Sequence, residues 1–418
     1  DIKNEKKLKQ LETLFDKTSK EITKSEKKIQ YDDKVLNLVR ILVTNNCNLK
    51  CRYCYAFNGS YGHEIKNMSL ETANEVCEYL IMNYKFIKEI NFFGGEPMLN
   101  IKVIDFICNK LTSYYNNSDI KKPVFSIVTN GTIISDQILE VVKKHNINVI
   151  VSLDYANKEI NDKNRIYFDN SGTFDTINKN IKEIIKTSSI FALESTYNEE
   201  HIKRNISYID IMKKNFSEYG VKLNIISPVS NKIFHYSNKK LISENSFGSQ
   251  LKFFIEKGIC NQEILSFLKS IYSHSYSYHY CDALVGQIAI SPIGDIYPCQ
   301  MFIATNMNSS LKKFCVGNVK EKKLSRRLHV AKWFNEYNTK NLKKCNNCKI
   351  KSNCGECAFY NFIENNFERK CENKEKNFYK EINNLLDIVS KDGNEIKLKR
   401  SLHALFEKGN LFLQDKII

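Results

Sequence analysis

Short apolar runs and amphipathic stretches alternate between residues 36 and 228. Six apolar runs have the length of strands, at 38–43, 89–93, 124–129, 148–153, 191–196 and 221–226. Between them, apolar residues recur at helical spacing in the stretches 69–84, 101–115, 135–145, 173–186 and 201–216. Ser69, followed by Thr72, and Ser135 stand where two of these helices should begin and are expected to cap them. The pattern therefore predicts an α/β fold.

The order of these elements restricts the topology. Strands that alternate with helices form a parallel sheet with right-handed crossovers. Six units are too few for a closed eight-stranded barrel, so we expect an open or partial barrel over residues 36–229. The remaining chain is predicted to comprise a basic helical segment, a helical linker, a Cys-rich domain and a C-terminal helical segment, at 1–35, 230–280, 281–375 and 376–418.

Composition indicates an ordinary globular protein. The chain has 418 residues, of which 42% are apolar and 26% charged. No apolar run approaches the roughly 20 residues of a membrane span, and the N-terminal stretch has no apolar signal core. We therefore expect a cytoplasmic protein without a membrane partner. The chain begins with Asp rather than Met, which is compatible with a trimmed N-terminus.

The formal net charge is +16. Its lysines are spread along the chain rather than gathered into one stripe, which favours a solvated surface. An acidic peptide segment is the better functional alternative. The sequence contains no RNA-binding motif, so no nucleic-acid partner is expected.

The fourteen cysteines are unevenly distributed. Cys47, Cys51 and Cys54 follow the first strand with the spacing C-x3-C-x2-C, and eight more lie between residues 281 and 371. Such clusters without a secretion signal indicate metal binding. Three thiolates on a four-iron cluster leave one iron open, whereas a structural zinc site needs a fourth ligand, for which His63 is available. Cys77, Cys108 and Cys260 lie on helical patterns and are expected to pack in the core.

Further motifs follow the next three strands. They are FFGGEP (92–97), VTNGT (128–132) and VSLDYANKEINDKNR (151–165). Together with the three cysteines and the aromatic Tyr53 between them, they resemble the radical SAM superfamily. The resemblance implies that Cys47, Cys51 and Cys54 hold a catalytic [4Fe-4S] cluster whose open iron binds S-adenosylmethionine (SAM), which yields a 5′-deoxyadenosyl radical on reduction. It also implies the cofactor-binding residues Tyr53, Gly94, Gly95, Glu96, Thr129, Asn130, Ser152, Asp154 and Arg165.

The C-terminal cysteines form a second pattern. The two C-x2-C pairs at 345–348 and 354–357 are only five residues apart, too close for a usual zinc ribbon. The region resembles the SPASM extension of radical SAM enzymes that modify peptides, which carries two auxiliary [4Fe-4S] clusters. The resemblance implies one cluster on Cys281, Cys299 and Cys357, with Cys315 as its fourth ligand or as a spare thiol. It implies a second cluster on Cys345, Cys348, Cys354 and Cys371, although Cys354 and Cys357 are one residue closer than is usual.

The same resemblance implies a precursor peptide as substrate and flavodoxin or ferredoxin as external electron donor. A thioether at a Cys sulfur, as in the sactipeptide and ranthipeptide type of maturase, is the leading product, with carbon–carbon crosslinking as the alternative. In sulfatase maturases an Asp follows the second SPASM cysteine and acts as a base. Gln300 takes that place here and cannot accept a proton usefully at neutral pH. Formylglycine formation is therefore a lesser alternative.

Two further expectations concern the whole chain. About 35 residues precede the first strand, too few for the peptide-recognition module of many such maturases, so a separate protein would bind the leader unless the N-terminus is trimmed. A metal protein without radical chemistry would explain the cysteines. It would not explain why the Gly-Gly-Glu-Pro, Thr-Asn-Gly and Ser-x-Asp motifs follow consecutive strands.

Overall fold

A computed structural model describes most of the chain between residues 34 and 400. The described residues are 34–188, 191–228, 244–272, 283–284, 286–303, 309–321, 330, 343–345, 347–348, 359, 374–390, 393–394, 396–398 and 400. Residues 1–33 of the predicted N-terminal segment and four of the predicted ligands lie outside them, namely Cys281, Cys354, Cys357 and Cys371.

Strands and helices alternate as the sequence predicts. The strands are β1 (Val35–Thr44), β2 (Phe86–Gly94), β3 (Val124–Thr129), β4 (Asn148–Ser152), β5 (Phe191–Tyr197), β6 (Leu223–Pro228), β7 (Cys260–Asn261), β8 (Gln287–Ile290), β9 (Asp295–Tyr297) and β10 (Gly317–Asn318). The helices are α1 (Leu70–Asn83), α2 (Ile101–Asn116), α3 (Asp136–Lys144), α4 (Lys158–Asn164), α5 (Phe174–Thr187), α6 (Glu199–Lys203), α7 (Tyr208–Tyr219), α8 (Phe247–Lys257), α9 (Gln262–Tyr272) and α10 (Lys374–Val389).

Contacts divide the chain into two compact units. The larger unit contains residues 31–191 and 281–338, and the smaller unit contains 1–30, 192–280 and 339–418. In the larger unit the strand order is β10-β9-β8-β1-β2-β3-β4. Strands β1 to β4 pair in parallel and β8 is parallel to β1, while β9 pairs antiparallel with both β8 and β10. The sequence did not predict that β8, from the Cys-rich region, would extend the sheet beside β1.

Local capping signals explain where the helices begin. The side chains of Ser69 and Ser135 accept hydrogen bonds from the backbone N–H groups of Thr72 and Ile138, as expected from the sequence. One face of the sheet is apolar and fully buried. Phe125 lies on this face, and its ring contacts edge-on the ring of His145, which follows α3, with 6.5 Å between the ring centres. This packing places helices on one face of β1 to β4.

In the smaller unit, β5 pairs in parallel with β6, and β6 with β7. The prediction of a single helix for residues 201–216 is wrong, because the structure has two helices there, α6 and α7. Ser207 interrupts the pattern by forming a capping box with Asp210, which starts a new helix.

Among the described residues, no helix is both long and apolar enough to cross a membrane.

The contact between β1 and β2 depends on a glycine at the end of β2. Gly94 has φ of 139°, and a Cβ atom there would lie 1.9 Å from the carbonyl oxygen of Thr44. Gly220 also has a positive φ, of 68°, but an added Cβ there would lie within 4 Å of no described atom. We predict that Gly94→Ala lowers the free energy of unfolding by clearly more than the roughly 1–2 kcal/mol expected for positive φ alone.

Gly220→Ala is the matched control and should show only that smaller loss. Guanidinium denaturation of both variants measures the difference. Equal losses would show that the close approach of β2 to Thr44 is not a constraint on the fold.

Candidate active site

The cysteine triplet lies in the loop after β1. Within this loop the backbone N–H of Cys54 donates to the carbonyl of Cys51 at 3.0 Å, which closes a turn between the last two thiols. Backbone hydrogen bonds from Lys50 to Ile166 and from Arg52 to Asn164 fasten the loop to the end of α4 and the segment after it. The loop is therefore held on two sides, by β1 and by the segment that carries Arg165.

The three thiols suit an iron–sulfur cluster chemically. Cys47, Cys51 and Cys54 are all partly exposed, and none of the ten described cysteines forms a disulfide. Among the described residues, no three His, Cys, Asp or Glu side chains are arranged to hold a single metal ion. A four-iron cluster does not require such convergence, because each thiolate binds a different iron.

Burial makes two of these thiols, Cys47 and Cys51, weakly acidic in the absence of metal. It raises the pKa of Cys47 to about 12, and the nearby Glu96 carboxylate adds to the shift. Burial also raises the pKa of Cys51 to about 11, although the Arg165 guanidinium opposes the rise. The Cys47 and Cys51 thiols would therefore be protonated at neutral pH until iron binds and displaces the protons.

Glycines bring the turn after β2 against the cysteine loop. The N–H of Gly95 donates to the Thr44 carbonyl at 3.0 Å, and the N–H of Glu96 donates to the Asn46 carbonyl at 2.8 Å. A Cβ on Gly95 would lie 2.1 Å from the Asn46 oxygen. Gly59 approaches from the other side, since its added Cβ would lie 2.9 Å from the Cβ of Cys47. Only glycines allow this packing.

The Glu96 side chain joins the second and third motifs. It is completely buried and accepts hydrogen bonds from the Thr129 hydroxyl and the Asn130 N–H, both at 2.7 Å, and from the Met98 N–H at 2.9 Å. Burial raises its pKa to about 7, and the three donors oppose the rise. Both carboxylate oxygens are thus bonded within the protein, which gives Glu96 a positioning role between the β2 and β3 loops.

An amide network connects the third motif to the cysteine loop. The Asn130 Nδ2 donates to Asn48 Oδ1 at 2.9 Å and lies 3.9 Å from the Cys47 sulfur. Asn48 in turn donates to the Thr132 hydroxyl at 2.8 Å. Sequence analysis missed Asn48, whose only signal is its position directly after Cys47.

The fourth motif forms a buried ion pair. Asp154 is fully buried and accepts from Arg165 Nε at 2.9 Å and from the Tyr53 hydroxyl at 2.5 Å. The Arg165 guanidinium also lies 5.6 Å from the centre of the Tyr53 ring. Ser152, at the end of β4, is 9% exposed. Tyr53 thus links the cysteine motif to the residues after β4.

Asp162, in the same motif, has a structural role in the described chain. Its Oδ1 accepts from the backbone N–H groups of Thr173 and Phe174 at 2.9 and 2.8 Å, at the start of α5. The carboxylate packs so closely on Gly172 that a Cβ there would lie 2.1 Å from Oδ2.

Four of the predicted auxiliary ligands are described. In the larger unit, Cys299 lies between β9 and a 3-10 helix, and the Cys315 thiol donates to the Gly317 carbonyl at 3.6 Å. In the smaller unit, the Cys348 N–H donates to the Cys345 carbonyl at 3.1 Å, the same turn that joins Cys51 and Cys54. Auxiliary cluster binding stays a prediction, because the other four ligands lie outside the described residues.

Comparisons with known proteins agree with this geometry. The family description "Radical SAM superfamily" matches residues 41–209. The radical SAM cyclopropyl synthase TigE of Paramaledivibacter caminithermalis is 27% identical over 286 residues, which cover 63% of this chain and 57% of that protein. This match spans less than two thirds of TigE. A cysteine-type anaerobic sulfatase-maturating enzyme of Clostridium novyi is 26% identical over 75% of this chain and 85% of its own length.

Solved structures show the same fold. The structure of anSMEcpe with bound AdoMet has a TM-score of 0.67 at 19% identity and covers 88% of this chain and 99% of its own. The same protein with bound AdoMet and the Cp18Cys peptide has a TM-score of 0.63 at 17% identity. With the parallel sheet, the motif order and the family match, residues 41–209 are a radical SAM domain.

Proposed function

We propose that this chain is a radical SAM enzyme that modifies a ribosomally made peptide. One observation carries the proposal. Cys47, Glu96, Asn130 and Asp154 follow four successive parallel strands and are joined to one another through hydrogen-bonded loops. Because parallel strands present their carboxyl ends at one edge, the four motifs form a single site.

The chain's own residues would hold and orient the cofactors. Cys47, Cys51 and Cys54 would bind three irons of a [4Fe-4S] cluster, whose fourth iron would bind SAM. Reductive cleavage of bound SAM supplies a radical that takes a hydrogen atom from carbon. Glu96 would fix the Gly94–Gly95 turn, whose backbone carbonyls are acceptors for an ammonium group. Ser152 and the Asp154–Arg165 pair would orient the carboxylate and ribose end of SAM.

Several observations support a peptide substrate. The Clostridium novyi relative is named for sulfatase maturation, and anSMEcpe has been solved with a bound peptide. The formal charge of +16 is compatible with an acidic peptide segment. An external flavodoxin or ferredoxin would deliver the electron, and auxiliary clusters on the C-terminal cysteines would take one back when the product bond forms.

A Cys thioether is the product we propose first. In that reaction a substrate C–H and a thiol are joined, one hydrogen atom goes to 5′-deoxyadenosine, the thiol proton goes to solvent, and one electron returns to the protein. Carbon–carbon bond formation is the second candidate, favoured by the relative named cyclopropyl synthase. Gln300 begins a 3-10 helix after Cys299 and provides no carboxylate base there, which disfavours formylglycine formation.

The cluster assignment predicts a specific loss of iron. Reconstituted protein should hold about 12 iron atoms, and the variant Cys47→Ala/Cys51→Ala/Cys54→Ala should lose about four together with all SAM cleavage. Cys77→Ala removes a buried helix cysteine and is the control, which should keep both. Iron analysis and 5′-deoxyadenosine assays measure the two quantities. Cleavage by the triple variant, or stoichiometric zinc in place of iron, would contradict the assignment.

The Tyr53 hydroxyl is predicted to support SAM binding through Asp154. Tyr53→Phe removes one hydrogen bond to a buried carboxylate, so SAM affinity should fall about 10- to 100-fold while the iron content is kept. Tyr55→Phe is the control, because Tyr55 is 45% exposed and its hydroxyl pairs with the neutral Tyr61 hydroxyl at 3.3 Å. Equilibrium dialysis with SAM measures both. Equal affinities in the two variants would remove Asp154 from the cofactor site.

The product decides between the two bond types. With reductant, SAM and a candidate precursor peptide encoded beside the gene, we expect 5′-deoxyadenosine and a peptide that has lost two hydrogens. Alkylating the peptide thiols beforehand should abolish that loss. A two-hydrogen loss that survives alkylation would show carbon–carbon bond formation instead. Formylglycine on a sulfatase-type peptide would overturn the assignment.

A further inference from the structure

A row of polar side chains crosses the middle of the sheet in the larger unit. Arg40 of β1 is in register with Asn91 of β2, Asn91 with Ser126 of β3, and Ser126 with Asn148 of β4. Asn91, Ser126 and Asn148 are 2%, 0% and 3% exposed. Polar side chains in the centre of buried strands require partners or a function.

This row lies on the face that also carries the proposed SAM site. Side chains two residues apart on a strand share a face, so Asn148 and Ser152 of β4 point the same way. The opposite face is covered by helices, since a Cβ on Gly131 would meet the side chains of Val151 and of Ile177 in α5. The polar row therefore lies on the face opposite to these helices, the face of Ser152.

Arg40 is held in place through only part of its guanidinium group. Its Nε donates to Asn91 Oδ1 at 2.9 Å, and the guanidinium carbon lies 4.8 Å from the centre of the Phe93 ring. Within the described residues, its two terminal nitrogens form neither a hydrogen bond nor an ion pair. The side chain is partly exposed. The Arg40 guanidinium is thus held in one orientation, and the N–H groups of its two terminal nitrogens can donate to a ligand.

An acidic group on the same face, Glu89, is hydrogen-bonded to Ser126 rather than to Arg40. Glu89, two residues before Asn91, accepts from the Ser126 hydroxyl at 2.5 Å, and Ser126 accepts from Asn91 Nδ2 at 2.8 Å. The Arg40 and Glu89 groups are therefore connected through two neutral side chains and form no direct ion pair. Burial raises the pKa of Glu89, and the Ser126 hydroxyl and the Arg40 charge oppose the rise.

Arg40 lies close to the cysteine loop as well. Burial raises the pKa of the Tyr61 phenol, the Arg40 charge lowers it, and Cys54 raises it. Tyr61 is therefore near both the guanidinium and the third thiol. Arg40 stands four residues before the end of β1, about 13 Å along an extended strand. A few residues of an extended peptide span such a distance.

We propose that Arg40 anchors a carboxylate side chain, Asp or Glu, of the peptide substrate. The inference rests on the proposed function and adds a specificity-determining residue to it. A guanidinium fork matches a carboxylate with two parallel hydrogen bonds, and the Phe93 ring and Asn91 already hold its orientation. Anchoring an acidic residue there would fix which part of the peptide lies next to the cysteine loop.

The first test uses small probes and requires no catalysis. Binding of N-acetyl-glutamate amide and N-acetyl-glutamine amide to the reconstituted, SAM-loaded protein is measured by isothermal titration calorimetry in wild type and in Arg40→Gln. We expect the glutamate probe to bind at least 10-fold more tightly, and Arg40→Gln to remove that difference. Equal binding of the two probes, no saturable binding of the glutamate probe, or an unchanged difference in Arg40→Gln would overturn the inference.

The second test selects peptides from a randomised Cys-containing library on the same protein. Wild type should enrich Asp or Glu at one position, Arg40→Gln should lose that enrichment, and Arg40→Glu should enrich Lys or Arg there instead. Lys122→Gln is the matched control, because Lys122 also lies over a phenylalanine ring, Phe125, but on the helix-covered face. This variant should select as wild type does. Circular dichroism melting confirms that each variant is folded.

The outcomes separate this inference from the proposed function. Selected peptides that are converted but show no acidic preference would keep the function and remove the role of Arg40. If acidic peptides bind through Arg40 but are not converted, the role of Arg40 as an anchor is supported and the proposed enzymatic function is contradicted. If no peptide is enriched, the peptide substrate fails and the small-probe result alone decides the role of Arg40.

Discussion

The site depends on a carboxylate that is buried only because three donors surround it. Burying a charged group without partners costs several kcal/mol, so Glu96 is tolerated only where the Met98, Thr129 and Asn130 donors converge. Those donors come from two loops, after β2 and β3, and the Glu96 N–H binds the cysteine loop as well. One residue, through its side chain and its backbone, thereby fixes three of the four motifs relative to one another. The Asp154–Arg165 pair fixes the fourth in the same way, through Tyr53.

Much of the fold could be predicted from local signals. The six predicted strands all occur, because each combines an apolar run of strand length with turn residues beyond its end. The helix at 201–216 was predicted wrongly, since the apolar spacing continues across Ser207 while the capping box with Asp210 ends the helical register. The pairing of β8 with β1 could not be predicted, because a four-residue strand far along the chain carries no signal for its partner.

The candidate site was predictable where chemistry requires a particular residue at a fixed spacing. The three thiols, the glycine pair and Glu96 are of this kind. Contacts between loops were not predictable, such as Asn48 with Asn130 or Gly59 against Cys47, because they depend on how the loops pack. Arg40 had a signal that sequence analysis did not use. A polar residue interrupts the apolar pattern within β1, β2 and β3 and another begins β4, and aligning the strands brings these residues into one row.

The central claim is that the cysteine loop holds a cluster with one iron open to SAM. Electron–nuclear double resonance on the reduced protein tests it directly, with SAM that carries isotopic labels in its amino and carboxylate groups. The account predicts hyperfine coupling of both labels to a reduced [4Fe-4S] signal, and loss of that coupling when Cys47, Cys51 and Cys54 are replaced. A reduced cluster signal without coupling to either label, at SAM concentrations that saturate binding, would contradict it.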